Sequence, residues 1–408
     1  MNKCKNCKLK FAWRKNLIYP IQLLIWTILR KVDRTILHRI FNFPVSIIFT
    51  LLMFLGEFLA GFILYKYQES FVKKKRNRET SKDKFIYKEN EMKKADSDIK
   101  IYFLIFISSF FDFIEFYLST FYVPKFIKTS SSLEERLGGI LTIISALFFY
   151  YLLKFQIFRH QLFSLIIIGI CLIIIITTEF IFQKTDIFLT YFDFCKKLLF
   201  IFFVHLFNGL LDAIQKYIME YDFMNYFKIL LLEGFFGFMI TIIYSVIDNS
   251  YEKLLFKVYS NYSNRQLSII IILLFLYLIL CGGRNAFRVV TNKIYSPMTK
   301  TLTDYFINPI YLIIHYYDDD FVNGGSKNIW YFLINLILSI IITLCGSIYN
   351  EIIILFFYDL ETETYDQISR RATMSYIEDK EEEEGILHIN EPTENEYERE
   401  NEHENLDN

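Results

Sequence analysis

The sequence predicts an all-α polytopic membrane protein, and three observations support this fold class. Hydrophobic residues make up 53% of the 408 residues and aromatic residues 19%, which exceeds the usual apolar share of soluble domains. The apolar residues gather in blocks of about twenty, the length that crosses the hydrocarbon core of a bilayer. Several blocks contain ionisable residues, which inside a membrane usually face a protein interior rather than lipid.

Ten apolar segments can be delimited, and each predicts one transmembrane helix. The first is the weakest, because charged residues crowd its end. The segments lie at about residues 17–37, 43–65, 100–123, 134–153, 161–182, 198–218, 226–247, 266–287, 297–317 and 329–357.

These segments divide the chain into consecutive regions. A basic N-terminus (1–16) precedes a first five-helix unit (17–182), which contains a basic loop (66–98). A second five-helix unit (183–357) precedes an acidic tail (358–408). Lys and Arg are more frequent in the N-terminal arm and in the even-numbered loops, and this bias predicts that both termini lie in the cytosol.

The C-terminal tail differs in composition from the rest of the chain. From residue 358 to the end there are 18 acidic and 4 basic residues. With so few apolar side chains the tail cannot bury a core, so we expect it to be disordered. The tail is either only solvated or also docks a protein partner, and both interpretations stay open. The sequence is also compatible with a homodimer.

Two segments that lie five positions apart share a glutamate next to a glycine. Segment two contains "LGEFLAGF", with Glu57 after Gly56, and segment seven contains "LLEGFFGF", with Glu233 before Gly234. Units with an odd number of helices have opposite orientations in the membrane, so a five-plus-five arrangement predicts inverted repeats. Such repeats are typical of transporters, which bind their solute between the two halves.

Ionisable residues inside the segments predict a polar pathway. Asp112 and Glu351 join Glu57 and Glu233 as candidates for coupling or gating. Two interpretations of Glu57 and Glu233 stay open. They either pin the halves together, because a neighbouring glycine lets helices approach closely, or they line the pathway and carry a proton.

Segment nine, "SPMTKTLTDYF", predicts a solute-binding site. Lys300 and Asp304 are four residues apart and therefore share one helix face, and Thr299 adds a hydroxyl group. Lys300 either forms a neutralised pair with Asp304 or binds an anionic solute. Segment four begins with "SSSLEERLGG", in which Ser131 and Arg136 occupy the corresponding position and are further candidates for binding.

The sequence contains no motif for catalysis, nucleotide hydrolysis or metal binding. The six His residues lack metal-ligand spacing, the single CxxC at Cys4 and Cys7 lacks a second pair, and there is no P-loop. We therefore expect neither an enzyme nor a protein that binds a cofactor, a metal or nucleic acid. The expected contacts are a small solute and the lipid bilayer.

Five stretches resemble one transporter family in their order and spacing. They are "FNFPVSIIFTLLMFLGEF", "SSFFDFIEFYL", "GLLDAIQKYIMEYDFMNYFKILLLEGFFGF", "VTNKIYSPMTKTLTD" and "CGSIYNEIIILFF". Over roughly residues 17–371 the chain resembles the drug/metabolite transporter superfamily (EamA-like) and, within it, the nucleotide-sugar-transporter-like solute carrier family thirty-five, F subfamily.

The resemblance implies ten helices in two inverted repeats, cytosolic termini and alternating access to a central cavity. It also implies that Gln215 contributes to solute binding, and that Asn350 and Glu351 contribute to coupling or gating. We expect a transporter of an endomembrane (Golgi, endoplasmic reticulum or endolysosome) that moves a small polar or anionic metabolite such as a nucleotide-sugar-like compound. The alternative is a non-transporting membrane scaffold, with a transporter-like fold, that binds a partner through its acidic tail.

Overall fold

Within the part of the chain that the structure describes, nine α-helices and one short pair of β-strands form the fold. The computed structural model describes residues 9–11, 18–41, 43, 47–76, 99–119, 133, 136–183, 191–248, 262–294, 301, 305–310, 312–313, 329–355 and 364. The helices are α1 (Ile18–Thr35), α2 (Ile47–Arg76), α3 (Ile99–Tyr117), α4 (Gly139–Leu152), α5 (Arg159–Gln183), α6 (Tyr191–Glu220), α7 (Tyr226–Ile247), α8 (Asn264–Ile294) and α9 (Ile329–Tyr349). A π-helical turn, Ile36–Ile40, continues α1.

Part of the predicted site lies outside the described residues. This holds for Ser131, Thr299, Lys300 and Asp304, for most of the basic loop and for nearly all of the acidic tail. Segment nine is described at 301, 305–310 and 312–313, and those residues are helical.

Six of the helices are long and apolar enough to cross a membrane, by length and composition. α4 is apolar as well, but its 14 residues are shorter than a full span. α1 ends in a cluster of charges, and α3 carries Lys100, Asp112 and Glu115. The six long helices make the chain a helical, multi-pass membrane protein; they are Ile47–Phe71, Arg159–Ile181, Phe194–Glu220, Tyr226–Ile247, Asn264–Ile294 and Ile329–Tyr349.

The distribution of side chains also suits a lipid surrounding. Large apolar side chains such as Ile63, Ile173 and Ile272 are about two-thirds exposed, at 63%, 66% and 66%. Polar side chains of the same helices are instead buried, as Glu57 on α2 and Glu179 on α5 are. Because lipid solvates apolar groups and excludes charged ones, this arrangement places the polar groups between the helices.

Glycines allow α2 to pack closely against two neighbours, α7 and α8. A Cβ atom at Gly234 would lie 2.8 Å from the Cα atom of Phe58, and one at Gly282 would lie 2.6 Å from the carbonyl oxygen of Gly56. Both distances are too short for a side chain, so the backbones meet only because these residues are glycines. The predicted close approach next to Glu57 and Glu233 is confirmed.

The remaining helices add to this group in a regular order. α3 packs against α6 and α7, α1 packs against α8, and α4 packs against α5 and α6, while α5 also packs against α9. Two main apolar cores result. One lies between α2, α3 and α8 around Phe54 and Tyr277, and the other lies between α5 and α9 around Ile168 and Ile342.

The chain segments before α1 and after α9 lie beside each other. Strand β1 (Leu9–Phe11) pairs antiparallel with strand β2 (Ile353–Leu355), and Lys10 is opposite Ile354. The two ends of the helical part are therefore at the same side of the molecule.

Candidate functional site

Four charged side chains from four helices meet inside the bundle, and we call them the Arg288 centre. Arg288 of α8 places its nitrogen Nη2 at 3.7 Å from Asp112 Oδ2 of α3 and at 3.8 Å from Glu57 Oε1 of α2. Glu233 Oε2 of α7 lies 3.9 Å from the same nitrogen. All four residues are at least 97% buried. One guanidinium therefore faces three carboxyl groups away from water.

The local sequence explains why these groups converge. Gly61 and Gly234 bring α2 and α7 together, so that Glu57 and Glu233 lie at the same contact between helices, and Gly56 brings α2 close to α8. On α8, Asn285, Arg288 and Asn292 follow one another at spacings of three and four, which places them on one helix face. That face is buried.

Neutral side chains hold two of the carboxyl groups in place. Ser108 Oγ donates a hydrogen bond to Glu233 Oε1 at 2.5 Å, and Gln215 Nε2 donates one to Glu233 Oε2 at 2.6 Å. Asn285 Nδ2 donates to Glu57 Oε1. Asn292 Nδ2 donates to Gln215 Oε1 at 3.3 Å. Glu233 is thus fixed by α3 and α6, and Glu57 by α8.

Several polar atoms of the centre lack a hydrogen bond although they are buried. They are Nε and Nη2 of Arg288, Oε2 of Glu57 and Oδ2 of Asp112. Buried polar atoms are normally paired, and exceptions are informative about function or about water and ions. The separations of 3.7–3.9 Å between Arg288 and the carboxyl groups are attractive electrostatically, but they are too long for hydrogen bonds.

A second buried group, which we call the Arg136 network, lies at one end of the bundle and is fully connected. Arg136, just before α4, donates from Nη2 to Glu179 Oε2 at 2.9 Å. Its Nη1 donates to the hydroxyl of Tyr331 at 2.7 Å and to Asn335 Oδ1 at 3.0 Å. The Tyr331 hydroxyl also donates to Glu179. α5 and α9 are thereby tied to the start of α4.

A buried lysine flanks the Arg136 network. Lys197 of α6 places Nζ at 3.9 Å from Glu179 Oε1, and this nitrogen makes no hydrogen bond. Two cations thus lie near one carboxylate, whereas the Arg288 centre has three carboxyl groups near one cation. The two buried groups have opposite charge excesses among the described residues.

The structure gathers four of the predicted site residues into one place. Glu57, Asp112 and Glu233 were predicted to couple or gate, and Gln215 was predicted to bind solute; all belong to the Arg288 centre or contact it. Arg136, predicted to bind solute, lies instead in its own network.

The other predicted coupling residues lie near the end of α9. Asn350 Nδ2 donates to the carbonyl oxygen of Gly346 at 2.8 Å. Glu351 Oε1 lies 3.6 Å from His160 Nε2 at the start of α5. Near segment nine, Thr142 of α4 donates to Thr301 at 3.0 Å and shares a hydrogen bond with Tyr305.

Sequence reasoning assigned no site role to Arg288, Asn285 or Ser108. Arg288 stands one residue after the predicted end of segment eight, but the helix α8 continues to Ile294. The buried spacing of Asn285, Arg288 and Asn292 was the available signal, because polar residues on one helix face predict a polar contact.

The Arg288 centre can bind and release protons or polar groups, because its carboxyl groups are close and incompletely hydrogen-bonded. Within the described residues no group of three or more His, Cys, Asp or Glu side chains is arranged to hold a metal ion. A comparison with protein-family models and with curated proteins finds no match for the chain.

Proposed function

We propose that the chain is a membrane transporter that moves a small polar or anionic metabolite, such as a nucleotide-sugar-like compound, by alternating access. The Arg288 centre carries this proposal. Charged side chains inside a membrane protein are costly to bury and usually mark a pathway for a solute or a proton. A centre supplied by α2, α3, α7 and α8 also lies where two halves of five helices would meet.

The packing of the helices supports a ten-helix protein built from two inverted five-helix repeats. If the partly described segment nine is counted as the ninth helix, α9 is the tenth. In this numbering, each helix of one repeat corresponds to the helix five positions away in the other repeat. The contact of α1 with α8 then corresponds to the contact of α6 with α3. The contact of α2 with α8 corresponds to the contact of α7 with α3. All four contacts are present. The contacts of α2 with α7 and of α5 with α9 each join a helix to its own counterpart in the other repeat.

In this arrangement the Arg136 network is a closure at one end of the pathway. It joins α4 and α5 of the first half to α9 of the second half through direct hydrogen bonds. Opening of this end requires these bonds to break, so the network favours the state in which this end is closed. The solute would enter from the other end, where strands β1 and β2 lie.

Lys300, Thr299, Asp304 and Ser131 remain proposed solute contacts, and Thr301 and Tyr305 support this position. Both belong to segment nine and are linked to Thr142 of α4. Segments four and nine would therefore line the solute site together. We further propose an endomembrane location, cytosolic termini and a protein partner for the acidic tail.

The test is uptake by purified protein in proteoliposomes. A pooled library of nucleotide-sugars, nucleotides, amino acids and organic acids is offered, and internal compounds are identified by mass spectrometry. We expect one class to accumulate with the unaltered protein and with the exposed-site control Lys66→Ala, but not with Asp112→Asn or Lys300→Ala.

A well-folded protein that accumulates nothing from any pool would contradict the transport proposal. That outcome would favour the alternative, a non-transporting scaffold whose acidic tail binds a protein partner. Capture experiments with the full chain and with a chain lacking residues 358–408 would then identify what the tail binds.

A further inference from the structure

We propose that the Arg288 centre is a proton-binding site, in which Glu57 holds one exchangeable proton that is taken up and released during the transport cycle. The inference rests on the proposed transport function for the coupling to solute. The proton site itself rests on the geometry and charge of the buried centre, and can be tested without a solute.

The first argument is the balance of charge around the centre. Among the described residues, three buried carboxyl groups, Glu57, Asp112 and Glu233, face two arginines, Arg284 and Arg288, so one additional proton makes this set neutral. The charges around this set balance one another: Asp212 and Glu220 are matched by Lys216 and Lys293, and Glu115 by Arg30. An uncompensated charge in a low-dielectric interior is strongly unfavourable, so a neutral set is favoured.

The second argument is the position of Glu57 within this set. Its side chain is completely buried, and its Oε2 atom makes no hydrogen bond. Its Oε1 atom accepts a hydrogen bond from Asn285 and shares Arg288 with Asp112 and Glu233. Glu233, by comparison, receives hydrogen bonds at both oxygens. Asp112 also has an oxygen without a hydrogen bond, but that atom, Oδ2, is the one that faces Arg288 at 3.7 Å. Among the described residues, Glu57 Oε2 has neither a hydrogen bond nor an ion pair, so Glu57 is the carboxyl group best placed to carry the proton.

A proton fits this geometry better than a metal cation does. Hard cations require several oxygen ligands arranged around an open position. Here the helices continue without interruption through Glu57 and Glu233, so their backbone carbonyls stay within the helices. The guanidinium of Arg288 also lies between the carboxyl groups and would repel a second cation. A proton needs only one carboxyl oxygen.

The same geometry explains how a proton could influence the helices. Arg288 is 3.7–3.9 Å from three carboxyl groups on three helices and is hydrogen-bonded to none of them through Nη2. When Glu57 is neutral, Arg288 is attracted mainly by Asp112 and Glu233. When Glu57 is ionised, α2 also attracts Arg288. The proton thereby changes which helix α8 is drawn towards.

The first experiment detects the proton directly by infrared spectroscopy of the purified protein. The C=O stretching band of a protonated carboxyl group is separate from the bands of ionised carboxylates. We expect this band at neutral pH in the unaltered protein and its loss at alkaline pH. Labelling of glutamate, but not of aspartate, with ¹³C at the carboxyl carbon should shift the band.

Variants then assign the band. Glu57→Gln should remove it, and the exposed-site control Glu69→Gln on the same helix should keep it. If Glu57→Gln does not fold, the isotope labelling still decides between glutamate and aspartate in the unaltered protein. The proposal is overturned if the unaltered protein shows no protonated carboxyl band at neutral pH, or if the band persists in a folded Glu57→Gln variant.

Coupling is measured with the solute that the proteoliposomes accumulate. We expect a proton gradient to drive uptake, and we expect Glu57→Gln to lose this dependence. Uptake that ignores the gradient would overturn the coupling while leaving transport intact. A protonated Glu57 in a protein that moves nothing would instead contradict the transport function and leave the proton site in place.

Discussion

The Arg288 centre and the Arg136 network are built from the same kinds of residue but differ in how they are connected. Each has one arginine buried between helices and surrounded by side chains from several of them. Arg136 makes three direct hydrogen bonds of 2.7–3.0 Å. Arg288 has three carboxyl groups at 3.7–3.9 Å, and its Nη2 and Nε atoms have no hydrogen bond.

The difference separates a group that holds one arrangement from a group that can change. A fully hydrogen-bonded buried network specifies a single geometry, and it is strongly destabilised when one member is removed. An incompletely bonded group has several arrangements of similar energy, and it responds to added protons or ligands. We therefore expect Arg136 to contribute mainly to stability and Glu57 mainly to transport.

The largest effect on stability should come from Arg136→Met. This change leaves the buried carboxylate of Glu179 without its hydrogen-bonded arginine, and breaking a buried pair in this way costs about 3–5 kcal/mol. Thermal unfolding in detergent measures the effect. The matched control is Lys66→Met, which removes an exposed ion pair with Glu69 at 3.1 Å and should cost about 1 kcal/mol or less.

The triple variant Arg136→Met, Glu179→Leu, Lys197→Met sharpens this prediction. With Arg136, Glu179 and the neighbouring Lys197 all replaced, no uncompensated charge remains in the network, so the triple variant should be more stable than Arg136→Met alone. If Arg136→Met is no less stable than Lys66→Met, the Arg136 network is not the stabilising group that its hydrogen bonds indicate.

An intermediate effect is expected for Gly234→Ala, which tests the contact that holds the Arg288 centre together. The added methyl group would collide with the backbone of α2 at Phe58, and overpacking of this kind costs about 1–3 kcal/mol. At Gly169 the nearest atom to an added Cβ is Ile143 Cδ1 at 4.0 Å. Gly169→Ala should therefore be neutral or stabilising, since alanine favours a helix. Equal melting temperatures for the two variants would exclude a close contact at Gly234.

A smaller effect is expected for Ser108→Ala. It removes a hydrogen bond to Glu233 within the Arg288 centre and should cost about 1 kcal/mol. Ser109, the next residue, is also buried but donates within α3 to the carbonyl oxygen of Ile105 at 2.9 Å. Ser109→Ala should therefore change the melting temperature less than Ser108→Ala does. The reverse order would show that the hydrogen bond from Ser108 to Glu233 does not stabilise the Arg288 centre.

The smallest effect on stability is expected for Glu57→Gln. Because Gln has the shape and the neutral charge of the protonated Glu57, the free energy of unfolding should change by no more than about 1 kcal/mol. Uptake driven by a proton gradient should nevertheless be lost. A folded variant that transports normally would show that Glu57 only pins the helices, and this was the structural alternative left open by the sequence.

The sequence predicted the helical membrane fold and several members of the Arg288 centre, because both can be recognised within a short stretch of residues. An apolar run of membrane length is unmistakable, and a carboxyl group within one, such as Glu57 or Glu233, is rare enough to be noticed. The partner of these groups was missed. Arg288 is 231 residues from Glu57 in sequence, and no local rule relates the two.

The Arg136 network was predicted only through Arg136 itself. Glu179, Tyr331 and Asn335 lie near the ends of their helices, where charged and polar residues are common in any membrane protein. Their hydrogen bonds depend on how α5 and α9 pack, which the sequence pattern does not specify. The ten-helix arrangement in two inverted repeats stays a prediction, since segment nine is described only in part.

The pairing of β1 with β2 has a consequence for biosynthesis. The ribosome makes residues 9–11 first and residues 353–355 after about 340 further residues. At the usual elongation rate the first strand waits roughly 20–70 s for its partner. During that time its peptide groups face water or a chaperone, and the last helix must be inserted before the N-terminal arm can dock. This strand pair therefore forms only after residue 355 has left the ribosome.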